Sequence, residues 1–378
     1  MKRKGINNIE IDFDTGSCKK TFVSQLPFIK NELYSYRNSY VGNKRKIIDK
    51  ILYTLNENNF KYDSVLDLFA GSGYVSAAFK MLGKTVISND ILKSSYINLI
   101  GIIENNNFLI DKEMIKLFNN IDDDNLMLEE DNNFLHRFTK NELLYINNFI
   151  YNLKKWYYSN PSKQKFYQVA LIYSSFQNYI GEKCFIGGRL NNGQVIADLD
   201  HRLKHKKNKM KEMLFKNIKL NFPIKSNKKC KVYNKDAIEL IDYLNKKNIS
   251  VDMCYIDPPY GGSQSDYFKM YEFHENLINK YDFYKIFNIT KNDINFMKDK
   301  DKFVKNKNYE NNFNVLCSKI KNIPLIAISY NNSSWSSIDK IISIIKKYRK
   351  NVKVENFEYK YQYRNSFSSG KEYLILIN

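Results

Sequence analysis

The stretch Val251-Asp252-Met253-Cys254-Tyr255-Ile256-Asp257-Pro258-Pro259-Tyr260-Gly261-Gly262 reads as a short apolar strand that runs into a rigid turn. Neither proline can donate a ladder hydrogen bond, so pairing must stop at Asp257. In open α/β sheets ligands bind outside the carboxyl ends of the strands. The turn puts a carboxylate, backbone carbonyls and an aromatic ring at that end. Such a cluster suits an amino group on a flat, stackable substrate.

A second strand-turn unit lies upstream. In Val65-Leu66-Asp67-Leu68-Phe69-Ala70-Gly71-Ser72-Gly73 an apolar run ends in a small-residue turn, and the pattern predicts a helix from Tyr74 to Leu82. The glycines let the backbone come close to a ligand. Thr85 to Asn89 predicts the next strand, with Asp90 at its end, where a carboxylate can accept both hydroxyls of a ribose. A dinucleotide fingerprint asks for Gly or Ala at its sixth position, which is Ser76 here. The shorter Gly-x-Gly with an acidic strand end fits S-adenosylmethionine better, because that ligand has no pyrophosphate to cradle.

Around these two units the pattern is that of an α/β protein. Tyr40-Val41-Gly42-Asn43-Lys44 leads into a helix whose apolar face is Ile47, Ile48, Ile51, Leu52 and Leu55. Lys44 at a helix start opposes the macrodipole, a conflict an anionic ligand would relieve; the alternative is an exposed basic turn. Cys230 to Asn234 is strand-like and Asp236 opens a helix, either as its N-cap or as an acceptor for the amino group of a bound adenine. Gln264 to Tyr271 reads as a polar, aromatic loop near the site, and residues 281–312 as peripheral. Pro324 to Ser329 predicts a strand, Ser336 to Tyr348 a helix, and Val352–Tyr361 with Glu372–Ile377 two closing strands.

Residues 105–227 differ in character. After an acidic connection, helical patterns cover Asn141–Tyr158 and Ser162–Tyr179. A hairpin is expected at Gly187–Ile196, with Asn192-Gly193 at its turn and Arg189, Asn191, Asn192 and Gln194 on it. A helix from Asp198 to Lys219 then crowds His201, Arg202, Lys204, Lys206 and Lys207 near its start. Hairpin and basic helix together suit a DNA-facing surface, set against a plain solvated face in a lysine-rich chain.

Composition agrees with a polyanionic partner. The 378 residues carry 60 Lys and Arg against 40 Asp and Glu, a formal charge of +20, which favours nucleic acid electrostatically. The five cysteines are scattered without a Cys-x-x-Cys pair, so neither zinc nor a disulfide framework is expected. The first residues lack a signal-peptide pattern and no apolar run reaches membrane length; a soluble cytoplasmic protein with no metal and no membrane contact is the expectation.

The chemistry converges on one substrate. An adenine amine is a weak nucleophile whose lone pair is delocalised into the ring. Two acceptors aimed at its hydrogens favour the pyramidal nitrogen needed to attack a methyl group. Asp257 and the Pro258 carbonyl can supply them, while Tyr260 can stack on the base. A base inside a duplex must be flipped out to reach such a site.

Asp257-Pro258-Pro259-Tyr260, preceded by Asp67-Leu68-Phe69-Ala70-Gly71-Ser72-Gly73, resembles the DNA adenine-N6 methyltransferases, and the motif order resembles their alpha group. The resemblance covers 34–104 and 228–262 well and 324–377 loosely. It implies a Rossmann-like S-adenosylmethionine-dependent methyltransferase sheet with helices on both faces, plus an inserted, mainly helical target-recognition domain with a β-hairpin. The implied organisation is an arm at 1–33, a discontinuous catalytic domain at 34–104 and 228–378, and the recognition domain at 105–227. Tyr40, Gly42 and Lys44 match the amino-proximal cofactor motif, which implies that Tyr40 and Lys44 hold the methionine part. Asp67, Phe69, Ala70, Gly71 and Gly73 would line the cofactor, Asp90 would hold its ribose and Asp236 its adenine. The implied partner is double-stranded DNA, with a cognate restriction endonuclease if the enzyme belongs to a restriction-modification system rather than acting as an orphan. Two other readings are an RNA base methyltransferase, whose chains usually lack an insert like 105–227, and a non-catalytic DNA-binding module. The intact four-residue motif and both glycines argue against the second.

Overall fold

The structure is a computed structural model that describes residues 44–110, 114, 140–186, 224–259, 267–291, 302–303, 308–331, 334–363 and 366–378. A 3-10 turn, Lys44–Lys46, opens it and leads into α1 (Ile48–Glu57). Then come β1 (Ser64–Asp67), α2 (Tyr74–Met81), β2 (Thr85–Asn89) and α3 (Lys93–Leu99), which a π-helical turn continues through Ile100–Glu104. Two long helices follow, α4 (Lys140–Ser159) and α5 (Lys163–Ile186). The α/β pattern returns with β3 (Lys231–Tyr233), α6 (Ala237–Lys246) and β4 (Met253–Ile256). The chain then forms α7 (Tyr267–Lys280), α8 (Phe283–Ile286), α9 (Tyr309–Ile320), β5 (Leu325–Asn331), α10 (Ile338–Lys346), β6 (Val352–Tyr363) and β7 (Ser366–Ile377).

Among the described residues the strands make one seven-stranded sheet in the order β3-β2-β1-β4-β5-β7-β6. All neighbours pair in parallel until β7, which lies antiparallel between β5 and β6. Strand order reverses direction between β1 and β4, which makes that junction the topological switch point where such sheets bind ligands. β4 is buried along its whole length, as a central parallel strand must be.

Alternation along each strand sorts the core into two layers. Val65, Val86, Met253, Tyr255, Ala327, Leu374 and Leu376 face α1–α5, α7 and α8. Leu66, Ile87, Cys254, Ile256, Ile326, Ile328, Ile375 and Ile377 face α6, α9 and α10. The sheet is thus covered on both sides, a Rossmann-like arrangement.

Three features differ from what the sequence suggests. Residues 267–280 form α7 rather than a loop, with Phe268, Tyr271, Leu277 and Ile278 buried; the pattern is hidden because its buried positions include His274 and Glu275. Part of the 281–312 stretch is core rather than periphery, since Phe283, Phe287, Phe303 and Tyr309 are buried. Finally, α4 and α5 share the first core layer through Ile146, Phe149, Ile150, Leu153, Val169, Leu171 and Tyr173. The hairpin at 187–196 and the basic helix at 198–219 lie outside the described residues.

The docking of α5 depends on one small residue. A Cβ built on Gly101 would sit 3.0 Å from the Ala170 carbonyl carbon and 3.0 Å from the Leu171 nitrogen, both backbone atoms. Gly101→Val should therefore cost about 1–3 kcal/mol through overpacking. Thermal denaturation checks this: a midpoint lowered by several degrees is expected, and an unchanged midpoint would mean that α5 does not pack there.

Candidate active site

The carboxyl ends of β1, β2, β3 and β4 converge because those strands are parallel. Asn89 ties three of them together: its side-chain amide donates to the Leu68 carbonyl (3.1 Å) and the Lys235 carbonyl (3.0 Å), and its oxygen accepts from the Lys235 amide (3.1 Å). The loop after β1 has Gly71 at φ 50° and Gly73 at φ 80°, a region that glycine occupies without steric cost. Asp90 fixes that loop. Its Oδ2 accepts from the Gly71 amide at 2.8 Å and its Oδ1 from the Leu92 amide at 2.9 Å.

These ends surround an open cleft at the edge of the sheet where open α/β folds bind small molecules. Lys44, Asp67, Phe69, Ala70, Gly71, Asp90, Asp236, Asp257, Pro258 and Pro259 all line it. Gly73 does not: its missing side chain makes room for Leu99 and Ile102, which a Cβ would approach to 2.8 and 2.9 Å. Tyr40, Gly42 and Tyr260 lie outside the described residues, as do Arg189, Asn191, Asn192, Gln194, His201, Arg202, Lys204, Lys206 and Lys207.

Asp236 is both a cap and a cleft residue. Its Oδ1 accepts from the Ile238 amide (3.0 Å), the Glu239 amide (3.2 Å) and Lys302 Nζ (3.2 Å). Phe69 meets Phe303 edge-on at 5.2 Å, so the cleft wall is braced from the α9 side.

Asp67 is 1% exposed. Its Oδ2 accepts from Ser76 Oγ at 2.6 Å, and Ser76 Oγ in turn lies 2.7 Å from Ser88 Oγ. Its Oδ1 is buried without a hydrogen-bond partner among the described residues. Burial first, then the negative charges of Asp257 and Asp90, push its carboxyl up to about 7 despite the Ser76 bond.

Lys44 is 6% exposed. Its ammonium lies 3.1 Å from Asp257 Oδ1 and 2.7 Å from Glu372 Oε1. Burial opposes its charge, but the two carboxylates outweigh burial and hold it above the ordinary lysine value. The macrodipole conflict at the start of α1 is thus met by protein carboxylates.

Sequence reasoning missed Glu372, Asn89 and Tyr267. Tyr267 lines the cleft from the start of α7. Glu372 shares a strand face with Leu374 and Leu376, which point into the first core layer. An acid on the core-facing side of a closing strand needs a cation, and that is the signal that would have found it.

A doubly wound sheet with one antiparallel insertion, and an acidic cleft at its switch point, define the class. The family model of the D12 class N6 adenine-specific DNA methyltransferases matches residues 40–344, and the chain belongs to that family. The Type II methyltransferase M.FokI of Planomicrobium okeanokoites is 28% identical over 358 residues, covering 89% of this chain and 52% of its own length. The Type II methyltransferase M2.HphI of Haemophilus parahaemolyticus is 24% identical over 330 residues, 84% of this chain and 89% of its own. The modification methylase StsI of Streptococcus sanguinis is 26% identical over 370 residues, 89% of this chain and 51% of its own. The chain therefore spans about half the length of M.FokI and StsI and most of M2.HphI. A Streptococcus mutans chain named as a SAM-dependent methyltransferase aligns over 90% of this chain and 50% of its own at 11% identity, with a TM-score of 0.31, too low to carry weight. Among the described residues no cluster of three or more His, Cys, Asp or Glu is placed to hold a metal ion, and no helix is long and apolar enough to cross a membrane.

The raised Asp67 carboxyl has a consequence for stability. A folded value near 7 against an ordinary 3.8 means that the folded protein holds a proton the unfolded chain has released. The associated stability is present at acid pH and is lost as pH rises through about 4 to 7. Asp67→Asn, which keeps an acceptor for Ser76, should remove this trend. Melting points of the two proteins across that range should diverge in favour of the variant as pH rises; a constant difference would contradict the assignment.

Proposed function

We propose that the protein transfers a methyl group from S-adenosylmethionine to the N6 amine of an adenine flipped out of duplex DNA. The observation that carries this reading is the Asp257 carboxylate at the mouth of the cleft, held by Lys44 and followed by two prolines. Family membership supports the base and the nucleic acid.

The residues present fit the cofactor. Asp67 lines the cleft, and one of its oxygens has no hydrogen-bond partner among the described residues, which the cofactor's amino group would satisfy. Phe69, Asp90 and Asp236 would take its nucleoside, and Tyr40 and Lys44 would stand by its methionine part. When bound, S-adenosylmethionine supplies an electrophilic methyl on a cationic sulfur and leaves as a neutral thioether.

The chain's own residues would do the rest. Asp257 and the Pro258 carbonyl accept the two hydrogens of the adenine amine, which leaves its lone pair aimed at the methyl carbon. Tyr260 stacks on the base. The Asp257 carboxylate would stabilise the positive charge that grows on the substrate nitrogen, and the N6 proton released on transfer would pass by way of Asp257 to water. The recognition surface is assigned to the 105–227 insert, with α4 and α5 anchoring it on the core and the hairpin and basic helix reaching DNA. The enzyme would work in the cytoplasm beside its substrate, either as the modification partner of a restriction endonuclease or alone.

Asp257→Ala tests the chemistry, because Lys44 keeps Glu372 as a partner and the fold should survive. Transfer of tritiated methyl groups to duplex DNA should fall by roughly 100- to 1,000-fold or more, while calorimetry still detects S-adenosylmethionine binding. Full activity in that variant would sink the proposal. A second test addresses the basic helix: replacing Lys204, Lys206 and Lys207 with Gln should lower the salt slope of DNA binding by about 0.9 per lost phosphate contact. An unchanged slope would return that helix to a solvated face.

A further inference from the structure

The Lys44 ammonium has two carboxylates on it, and only one of them stands at the strand end that meets the substrate. The other, Glu372, is on β7, opposite Asn331 of β5. It is 2% exposed, and its Oε1 accepts from Lys44 Nζ at 2.7 Å and from Ser329 Oγ at 2.6 Å. The ammonium is therefore closer to Glu372 than to Asp257, which it meets at 3.1 Å. Glu372 does not line the cleft.

Charge arithmetic gives this arrangement a meaning. One ammonium shared between two carboxylates leaves the trio with one net negative charge. A buried lysine serving Asp257 alone would make a neutral pair and weaken Asp257 as an acceptor, since its charge would be spent on the ammonium. With Glu372 drawing Lys44 toward β7, Lys44 still orients Asp257, while Asp257 keeps more of its negative charge for the substrate. That favours a reaction in which positive charge grows on the substrate nitrogen. Ser329 fixes the Glu372 carboxylate, so the pull on Lys44 has a set direction.

We infer that Glu372 is a positioning residue for the transfer reaction: it shares Lys44 with Asp257 so that the Asp257 carboxylate is oriented yet remains a strong acceptor. The inference rests on the methyltransferase reading above. The antiparallel strand β7 thereby gains a chemical role besides closing the sheet.

Glu372→Gln tests this, since the amide keeps an oxygen for Ser329 and removes only the charge. The single-turnover rate of methyl transfer should fall about tenfold, with the affinity for S-adenosylmethionine little changed. The same change made in a Lys44→Met background should produce no further loss, because the effect of Glu372 on the reaction is inferred to run through Lys44. An unaltered rate in Glu372→Gln, or an equal additional loss in the Lys44→Met background, overturns the inference. A second readout does not depend on activity. Reductive methylation with formaldehyde, read by mass spectrometry, should label Lys44 several-fold faster in Glu372→Gln than in the wild type. The buried Lys80 and Lys93, each 1% exposed, should stay protected and so exclude general unfolding. Equal protection of Lys44 in both proteins overturns the inference, whereas a wild type that transfers no methyl to DNA adenine overturns the proposed function instead.

Discussion

A lysine ammonium buried beneath the sheet's carboxyl edge cannot stand without opposite charge. Breaking a buried pair by removing one partner costs about 3–5 kcal/mol. Lys44 meets this constraint with Asp257 and Glu372, which are far apart in sequence. The contact joins the turn before α1, the end of β4 and the antiparallel strand β7. Three separate elements must reach their final places for this one charge to be satisfied, and the place they meet is the mouth of the cleft. Folding and site assembly are therefore the same event at this point.

The cleft itself follows from the topology. Parallel strands put their carboxyl ends on one edge, and the reversal of order between β1 and β4 opens a crevice there. Asn89 and Asp90 then fix the loops by hydrogen bonds to backbone groups. Asp67 is held differently. Its carboxyl is buried with one oxygen lacking a hydrogen-bond partner among the described residues, the kind of stored cost that a cationic ligand group relieves.

What was legible in the sequence was local. The Asp257-Pro258-Pro259 turn, the glycine turn after β1, Asp90 at a strand end and Asp236 at a helix start each declare themselves within a few residues, because strand ends and caps are short-range devices. Glu372 did not, since its partner Lys44 is 328 residues away and no spacing rule links them. For Lys44 the sequence leaves two readings, an anionic ligand at the helix start or an exposed basic turn, and does not show the two protein carboxylates that meet its buried ammonium. The first residues of α7, Tyr267 to Tyr271, read as a loop because the helix's apolar stripe is broken further on by Glu275, which accepts from the Lys93 and Ser94 amides at the start of α3. Helices α4 and α5 were legible as helices, but their place in the sheet's core was not, since periodicity shows a helix has an apolar face and not what covers it.

In the proposed reaction the Asp257 cluster presents one nitrogen, the N6 amine of adenine in duplex DNA, to a methyl donor. Single-molecule sequencing of unmodified genomic DNA incubated with the purified protein and S-adenosylmethionine tests this most directly. N6-methyladenine at one short, fixed sequence motif is the expected result. Methylation confined to cytosine, or DNA left unmodified while RNA in the same mixture gains methyl groups, would contradict it.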